Sequence, residues 1–440
     1  GFPHTIDWER IVKHPLNPID EVFLAMDREL GLLQGQFLRF RGTAPSLDQL
    51  HDHLAKRLPG LPRLTHRAVT GRRGAFRAPC SGFDLRDHVQ ELELPAGTSL
   101  DEVLSALAGR PLCESGPLWT IHLVHGYADD EYAVCYRVHH ALEDGMGAAH
   151  VAAVLFGTPI PGRTSRGGER DGRRTGPLFT SGPVELLHGA LSVGAGMLRG
   201  LAPGKLWPKA QCPSAENLAV CSTSATRREL SELGRGFGGT VNDAFLMALW
   251  GALSAWSATG DGRRDVRSVF RASPVPVRMP LSTRYTGEED AVGNHLTTAV
   301  VTLPGRKVPP AEAFAQVVAS TQRMRSNGLR PASRALIALL PASLIRWTVK
   351  RLLSPRASPL YASNYTLPAC LSFREDPVVD VIPLGVLLPG NALSVTLLSC
   401  GSRVQVSFLY DRRLPGAHRL AALWREALDE LDGMDARPAA

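Results

Sequence analysis

The chain has 440 residues and a net charge of +7, with 44% hydrophobic and 21% charged residues. Those proportions exclude a disordered chain, a collagen-like fibre and a multi-span membrane protein. At roughly 150 residues per domain, the length implies two large domains or three small ones.

Residues 1–10 contain no apolar run and do not read as a signal peptide. Asn17, Pro18, Ile19 and Asp20 lead into an apolar-periodic segment over 22–26, with Asp20 as a cap or turn residue. Ser46 predicts an N-cap for an amphipathic helix over 47–58. Segments 119–124 and 132–138 alternate in polarity, and the turn-rich stretch between them predicts a hairpin. Helical spacing returns over 148–156.

Composition breaks at Gly157, and residues 161–176 are rich in Gly and Arg with no hydrophobic residue, as in an exposed linker. A helical stretch over 184–201 follows, and the mixed pattern restarts near Ser222. Further helices are expected over 242–256, 310–324 and 417–431, and strands over 268–277, 296–303, 393–398 and 404–409. The uncharged stretch 381–402 is long enough to span a membrane, but Pro383, Gly385, Pro389 and Gly390 divide it into two strands and a turn. The uncharged run 244–260 is too short to span and reads as a buried helix. The expected architecture is two α/β halves: 1–158, a linker and crossover helix over 159–218, and 219–433.

The positive charge is local. Segment 323–356 holds eight basic residues (Arg323, Arg325, Arg330, Arg334, Arg346, Lys350, Arg351, Arg356) and no acid, so the remainder is close to neutral. Pro341 splits the segment into two short helices in which Leu336, Ile337, Leu344, Ile345 and Trp347 are interleaved with cations. Such a patch suits an anionic lipid surface or a phosphorylated ligand, or is simply a solvated helix face. Few aromatics and no groove-reading motif argue against nucleic acid. The seven cysteines form no CxxC pair, which argues against a zinc ribbon and fits a reducing cytosol.

One cluster carries chemistry: His139-His140-Ala141-Leu142-Glu143-Asp144-Gly145, between a strand and a helix. Histidine titrates near neutrality and can take a proton from a hydroxyl or amine. Side chains alternate along a strand, so only one of the two histidines can face a given cavity. Asp144 either orients a ring or pairs with an arginine, for which Arg271 and Arg278 are candidates. Gly145 permits a tight turn. A metal site is not expected, because neither HExxH spacing nor a third ligand is present.

This pattern resembles the HHxxxDG motif of the bacterial wax ester synthase/diacylglycerol acyltransferases, members of the CoA-dependent acyltransferase superfamily. Other elements follow in that family's order: residues 15–23 resemble its PLSPxDxxF element, Pro117-Leu118-Trp119 its PLW motif, Val241-Asn242-Asp243 its ND motif and Gly293-Asn294 its GN segment. The resemblance implies an α/β (α+β) fold of two chloramphenicol-acetyltransferase-like domains forming a pseudo-dimer with a tunnel at their interface. It also implies that His140 is the general base, that His139 supports the loop and that Asp144 is mainly structural. Two departures fall on the acceptor side. Residues 363–368, Ser-Asn-Tyr-Thr-Leu-Pro, stand in place of Ser-Asn-Val-Pro-Gly-Pro, and Cys400 stands where a tyrosine is usual.

The expected activity is acyl transfer from acyl-CoA to an acceptor hydroxyl, forming an ester, with Gly145, Asn242, Trp119 and Asn364 at the substrate. For Asn242 a helix cap and for Trp119 a place in the core are the plainer readings. No cofactor is expected; the thioester, on CoA or on an acyl carrier protein, is a co-substrate. The alternatives are a natural-product acyltransferase acting on a hydroxyl or amine, and a non-catalytic lipid- or carrier-binding protein. A cytoplasmic enzyme touching a membrane surface fits the basic segment.

Overall fold

A computed structural model of the chain describes residues 14–26, 32–72, 74–112, 116–157, 182–201, 214–258, 274–288, 290–356, 358–367 and 371–434. The proposed linker 161–176, Cys113, Cys212, Cys370, Pro368 and Arg271 lie outside these residues.

The first half runs β1 (His14–Pro15), α1 (Pro18–Met26), β2 (Leu33–Arg41), α2 (Leu47–Arg57), β3 (His66–Gly71), β4 (Gly74–Pro79), α3 (Leu85–His88), β5 (Val89–Glu93), α4 (Leu100–Ala108), β6 (Trp119–His125), β7 (Glu131–His139) and α5 (Gly145–Phe156). Helix α6 (Pro183–Leu201) follows. The second half opens with β8 (Leu218–Thr226), α7 (Arg227–Gly236), α8 (Val241–Ala258), β9 (Val275–Ser282) and β10 (Leu296–Leu303). It continues through α9 (Pro310–Ser326), α10 (Leu329–Leu339), α11 (Ala342–Leu352), β11 (Leu360–Leu367), β12 (Ser372–Phe373), β13 (Asp376–Leu384), β14 (Leu393–Cys400), β15 (Arg403–Asp411) and α12 (Leu420–Asp432).

Two six-stranded mixed sheets carry the fold, ordered β12-β13-β2-β7-β6-β5 and β10-β9-β11-β14-β15-β8. A small sheet, β1-β4-β3, lies in the first half. The predicted hairpin is β6 and β7, paired antiparallel with Ile121 opposite Tyr136. Strand β7 is buried from Tyr132 to Val138 and is flanked by β2 and β6, so its end is held rigidly where the histidines begin. Ser46 caps α2 as expected, in a capping box with Gln49.

The halves are not separable at residue 219. Strands β12 and β13 belong by sequence to the second half but complete the sheet of the first, Val381 opposite Leu38 and Ile382 opposite Phe37. The stretch 381–402 therefore forms two strands, as predicted, but they lie in different sheets rather than in one hairpin. The unpaired edge of β2 explains the exchange. Its backbone groups need partners, and both faces of β13 at Val381 and Ile382 find apolar cover. The strand expected over 268–277 is Val275–Ser282; residues 268–273 lie outside the described residues.

The basic segment takes in the last turn of α9, with Arg323 and Arg325, and then α10 and α11, separated at Pro341. Its cations are less free than their spacing suggests. Arg334 is buried against Glu288 at 2.6 Å, Arg346 pairs with Glu21 at 2.6 Å, and Arg330 donates to the carbonyl of Ser282 at 2.7 Å. Lys350, Arg351 and Arg356 remain exposed.

Candidate active site

The HHALEDG segment turns from the end of β7 into α5 between the two sheets. The His139 amide donates to Leu118 O and the His140 amide to Leu32 O, both at 2.9 Å, so both neighbouring strands pin the chain as it turns. The side chains then diverge. His139 is buried, and its Nδ1 accepts from the Ala141 amide at 3.0 Å, bracing the turn. His140, 3% exposed, lines a cavity between the halves. The face of its ring stacks on Phe23 of α1, with centroids 4.3 Å apart. Burial is the largest influence on the imidazole and lowers its pKa, whereas the Asp144 charge works the other way. A neutral ring at pH 7 is the protonation state a base requires.

Asp144 does not orient the ring. Its Oδ1 caps α5 by accepting from the Gly147 amide at 2.9 Å, and its Oδ2 accepts from Arg284 Nη1 at 2.5 Å and the His295 amide at 3.0 Å. The arginine is thus neither of the two candidates: Arg278 donates instead to Ser354 O at 2.9 Å. Arg284 lies beyond β9 in a loop that folds back on the site, and its other nitrogen holds the carbonyls of Ala291 and Gly293 at 3.0 Å. Burial alone would raise the Asp144 carboxyl, but Arg284 and the two amides reverse this and hold it at about 2.

A second clasp comes from α1. Asn17, not Asp20, opens this helix, its Oδ1 accepting from the amides of Ile19 and Asp20 at 2.9 Å. Asp20 is fully buried, and its Oδ1 accepts from both the backbone amide and Nδ2 of Asn294 at 2.8 Å. Asn294 Nδ2 in turn donates to the His140 carbonyl at 2.5 Å. Gly293 makes this approach feasible: its φ is +90°, and a Cβ there would stand 2.6 Å from Asp20 Oδ2. Burial lifts the Asp20 carboxyl to about 7, against the lowering influence of Arg77 and Asn294.

Sequence reasoning missed Glu143. It is fully buried, accepts from the Tyr136 hydroxyl at 2.5 Å and faces Arg63 Nε at 3.3 Å. Its signal was a second acid beside Asp144, directly after the apolar Ala141 and Leu142, with Arg63 likewise set among Leu61, Pro62 and Leu64.

The His140 cavity is about 120 Å³ and is also lined by Asp144, Gly145 and Asn364. Gly145 does not serve a left-handed turn. It begins α5, and a Cβ there would press on the Tyr365 ring at 3.2 Å. Asn242 is not the cap of α8, a role filled by Thr240, whose hydroxyl and amide both donate to Asp243 Oδ2 at 2.8 Å. Asn242 instead sits behind the cavity wall, accepting from Asn364 Nδ2 at 3.3 Å. Trp119 is in the core, its indole N–H bonded to Leu64 O at 2.7 Å, and does not reach the cavity. Nor does Cys400, at the far end of β14. No cluster of three or more His, Cys, Asp or Glu side chains suited to a metal ion occurs among the described residues.

Two sheet-rich halves with a buried histidine between them define the two-domain acyltransferase fold. Among solved structures the chain resembles the wax ester synthase/diacylglycerol acyltransferase from Marinobacter aquaeolei VT8 (19% identity, TM-score 0.63, covering 96% of this chain and 100% of that one). It also resembles the first condensation domain of the calcium-dependent antibiotic synthetase (18% identity, TM-score 0.62, covering 98% and 97%). Residues 16–202 match the wax ester synthase/diacylglycerol acyltransferase catalytic domain, and residues 292–432 match the C-terminal domain of the same family. A relative in Mycobacterium tuberculosis (strain CDC 1551 / Oshkosh), "Probable diacyglycerol O-acyltransferase tgs1", is 26% identical over 90% of each chain. The chain belongs to the wax ester synthase/diacylglycerol acyltransferase family.

The buried pair sets a test. Arg284→Leu leaves Asp144 charged and unpaired, which is expected to cost about 3–5 kcal/mol of stability. The folded carboxyl titrates at about 2, below its usual 3.8. The pair's contribution is therefore complete above about pH 4 and is lost as pH falls toward 2. Denaturant unfolding of wild type and variant should show a large gap at neutral pH that narrows as pH falls toward 2, starting above about pH 4 because burial without Arg284 raises the variant's own Asp144 carboxyl. Equal stability at pH 7 would contradict the assignment.

Proposed function

We propose that His140 is the general base of this ester-forming, acyl-CoA-dependent O-acyltransferase. The observation that carries this reading is the divergence of the two histidines, which leaves only His140 on the cavity between the halves while His139 braces the turn. An acceptor hydroxyl in that cavity gives its proton to His140 as its oxygen bonds to the thioester carbonyl carbon. The tetrahedral oxyanion collapses, the C–S bond breaks, and the imidazolium returns its proton to the leaving thiolate. The charge on the ring exists only between those two transfers. Asp144 and the Phe23 face both favour the charged ring, so they act on the reacting state more than on the resting enzyme. No cofactor is drawn into the step, because the thioester supplies the leaving group.

General-base help of this kind is worth about 10²–10⁴-fold. With acyl-CoA and a panel of alcohols, assayed by free-thiol release, His140→Ala is expected to lose at least about 10² in turnover with folding intact. His139→Ala should lower the melting temperature and spare more of the turnover. Wild-type turnover in a well-folded His140→Ala would overturn the proposal.

The second part of the proposal is contact with an anionic lipid surface. All the large apolar side chains that stand exposed among the described residues lie on α6, α10 and α11, including Leu187, Leu198, Leu344 and Trp347. The exposed cations Lys350 and Arg351 share α11 with Leu344 and Trp347. No helix among the described residues is long and apolar enough to cross a membrane, so any contact through these helices is with the interface. Each cation near an anionic bilayer contributes about 1 kcal/mol, screened by salt. Binding to phosphatidylglycerol vesicles is expected to weaken with salt and with Lys350→Glu/Arg351→Glu, a pair that leaves the Arg346–Glu21 bridge untouched. No vesicle binding, together with a raised KM for CoA donors in the double variant, would place the cations at the donor instead.

A further inference from the structure

We infer that a second cavity, walled by α6, β10, α10 and α11, binds the linear alkyl chain of a substrate, and that Gly194 is kept side-chain-free to leave room for it. The inference rests on the acyl-transfer reading above. The cavity is about 310 Å³, roughly twice the ~150 Å³ of an apolar cavity that admits benzene. Its walls hold no charged side chain. Of the few hydroxyls on them, Ser333 and Thr297 bond to each other at 2.8 Å. An ion would find no charged partner there, whereas an alkyl chain needs none. Leu296 lines both this cavity and that of His140, so the two cavities are separated by no more than that residue.

The glycines of α6 sharpen the assignment. Glycine inside a helix is destabilising relative to alanine, so each needs a reason. At Gly189 a Cβ would come within 2.2 Å of Gly328 O, and at Gly196 within 2.8 Å of a Leu352 methyl, so close packing accounts for both. At Gly194 a Cβ would meet no described residue within 4 Å, and the residue lines the cavity. Packing gives no reason for glycine at that position; open space for a ligand does.

The test is Gly194→Leu, which points an isobutyl group into the space, beside Gly194→Ala. Each buried methylene is worth about a factor of four in affinity. Donors from hexanoyl- to palmitoyl-CoA are run with decanol, and acceptors from hexanol to hexadecanol with decanoyl-CoA. In one of the two series the kcat/KM ratio of the longest to the shortest chain is expected to fall about tenfold or more in Gly194→Leu, with a smaller fall in Gly194→Ala. The series that responds identifies whose chain the cavity holds. Melting temperatures report folding, and Gly194→Ala should match or exceed wild type. Unchanged ratios in both series, in a Gly194→Leu protein that melts like wild type, would overturn the inference. Equilibrium binding of palmitoyl-CoA and hexadecanol needs no turnover. Binding that Gly194→Leu weakens, in a wild type that forms no ester, would support the cavity and fault the acyl-transfer reading instead.

Discussion

The buried ion pair between Asp144 and Arg284 is the constraint on which the rest of the site depends. Asp144 starts α5 in the first half, and Arg284 extends from the loop after β9 in the second. Removing two charges from water is costly, and it is tolerated only where geometry and further hydrogen bonds are nearly complete. Here the carboxylate also takes the Gly147 and His295 amides, and the guanidinium also holds two carbonyls. A shift of one half against the other breaks the Arg284 and His295 contacts to Asp144 together, so the pair fixes the relative position of the two walls of the cavity.

The rest of the site adds to the same clamp. Asn294 belongs to the loop that Arg284 holds, and it joins Asp20 of α1 to the backbone of His140. Helix α1 contributes Phe23 against the imidazole face. His140 thus meets groups from both halves of the chain, Phe23 against its ring and Asn294 on its carbonyl. The strand exchange of β13 into the first sheet works in the same direction, since it ties the halves through backbone hydrogen bonds beside the cavity.

Much of this was legible in the sequence, for local reasons. Strand alternation gave the β6–β7 hairpin, Ser46 gave the α2 cap, and the His pair at a strand end indicated that one ring would face the cavity and one would not. What was not legible depends on distant chain segments. Arg284 sits in an irregular loop with no periodicity to mark it, so Arg278, on a clean strand, was the more visible candidate and the wrong one. Asp20 read as a turn residue because its neighbours are turn formers, yet its partner lies 274 residues away. The destination of β13 was equally hidden, because an apolar strand fits any open edge and only the tertiary fold offers β2. Trp119 and Asn242 show the converse. Each stands in a family motif, yet Trp119 supports the site from the core and Asn242 from behind Asn364.

The central claim is that this clamp holds His140 buried and uncharged, ready to accept a proton. An NMR titration of isotope-labelled imidazoles tests it most directly, with the His140 resonance assigned by comparison with His140→Gln. The account predicts a His140 midpoint below the usual 6.5, with the ring neutral at pH 7. A midpoint above that value, leaving the ring protonated at neutral pH, would contradict it.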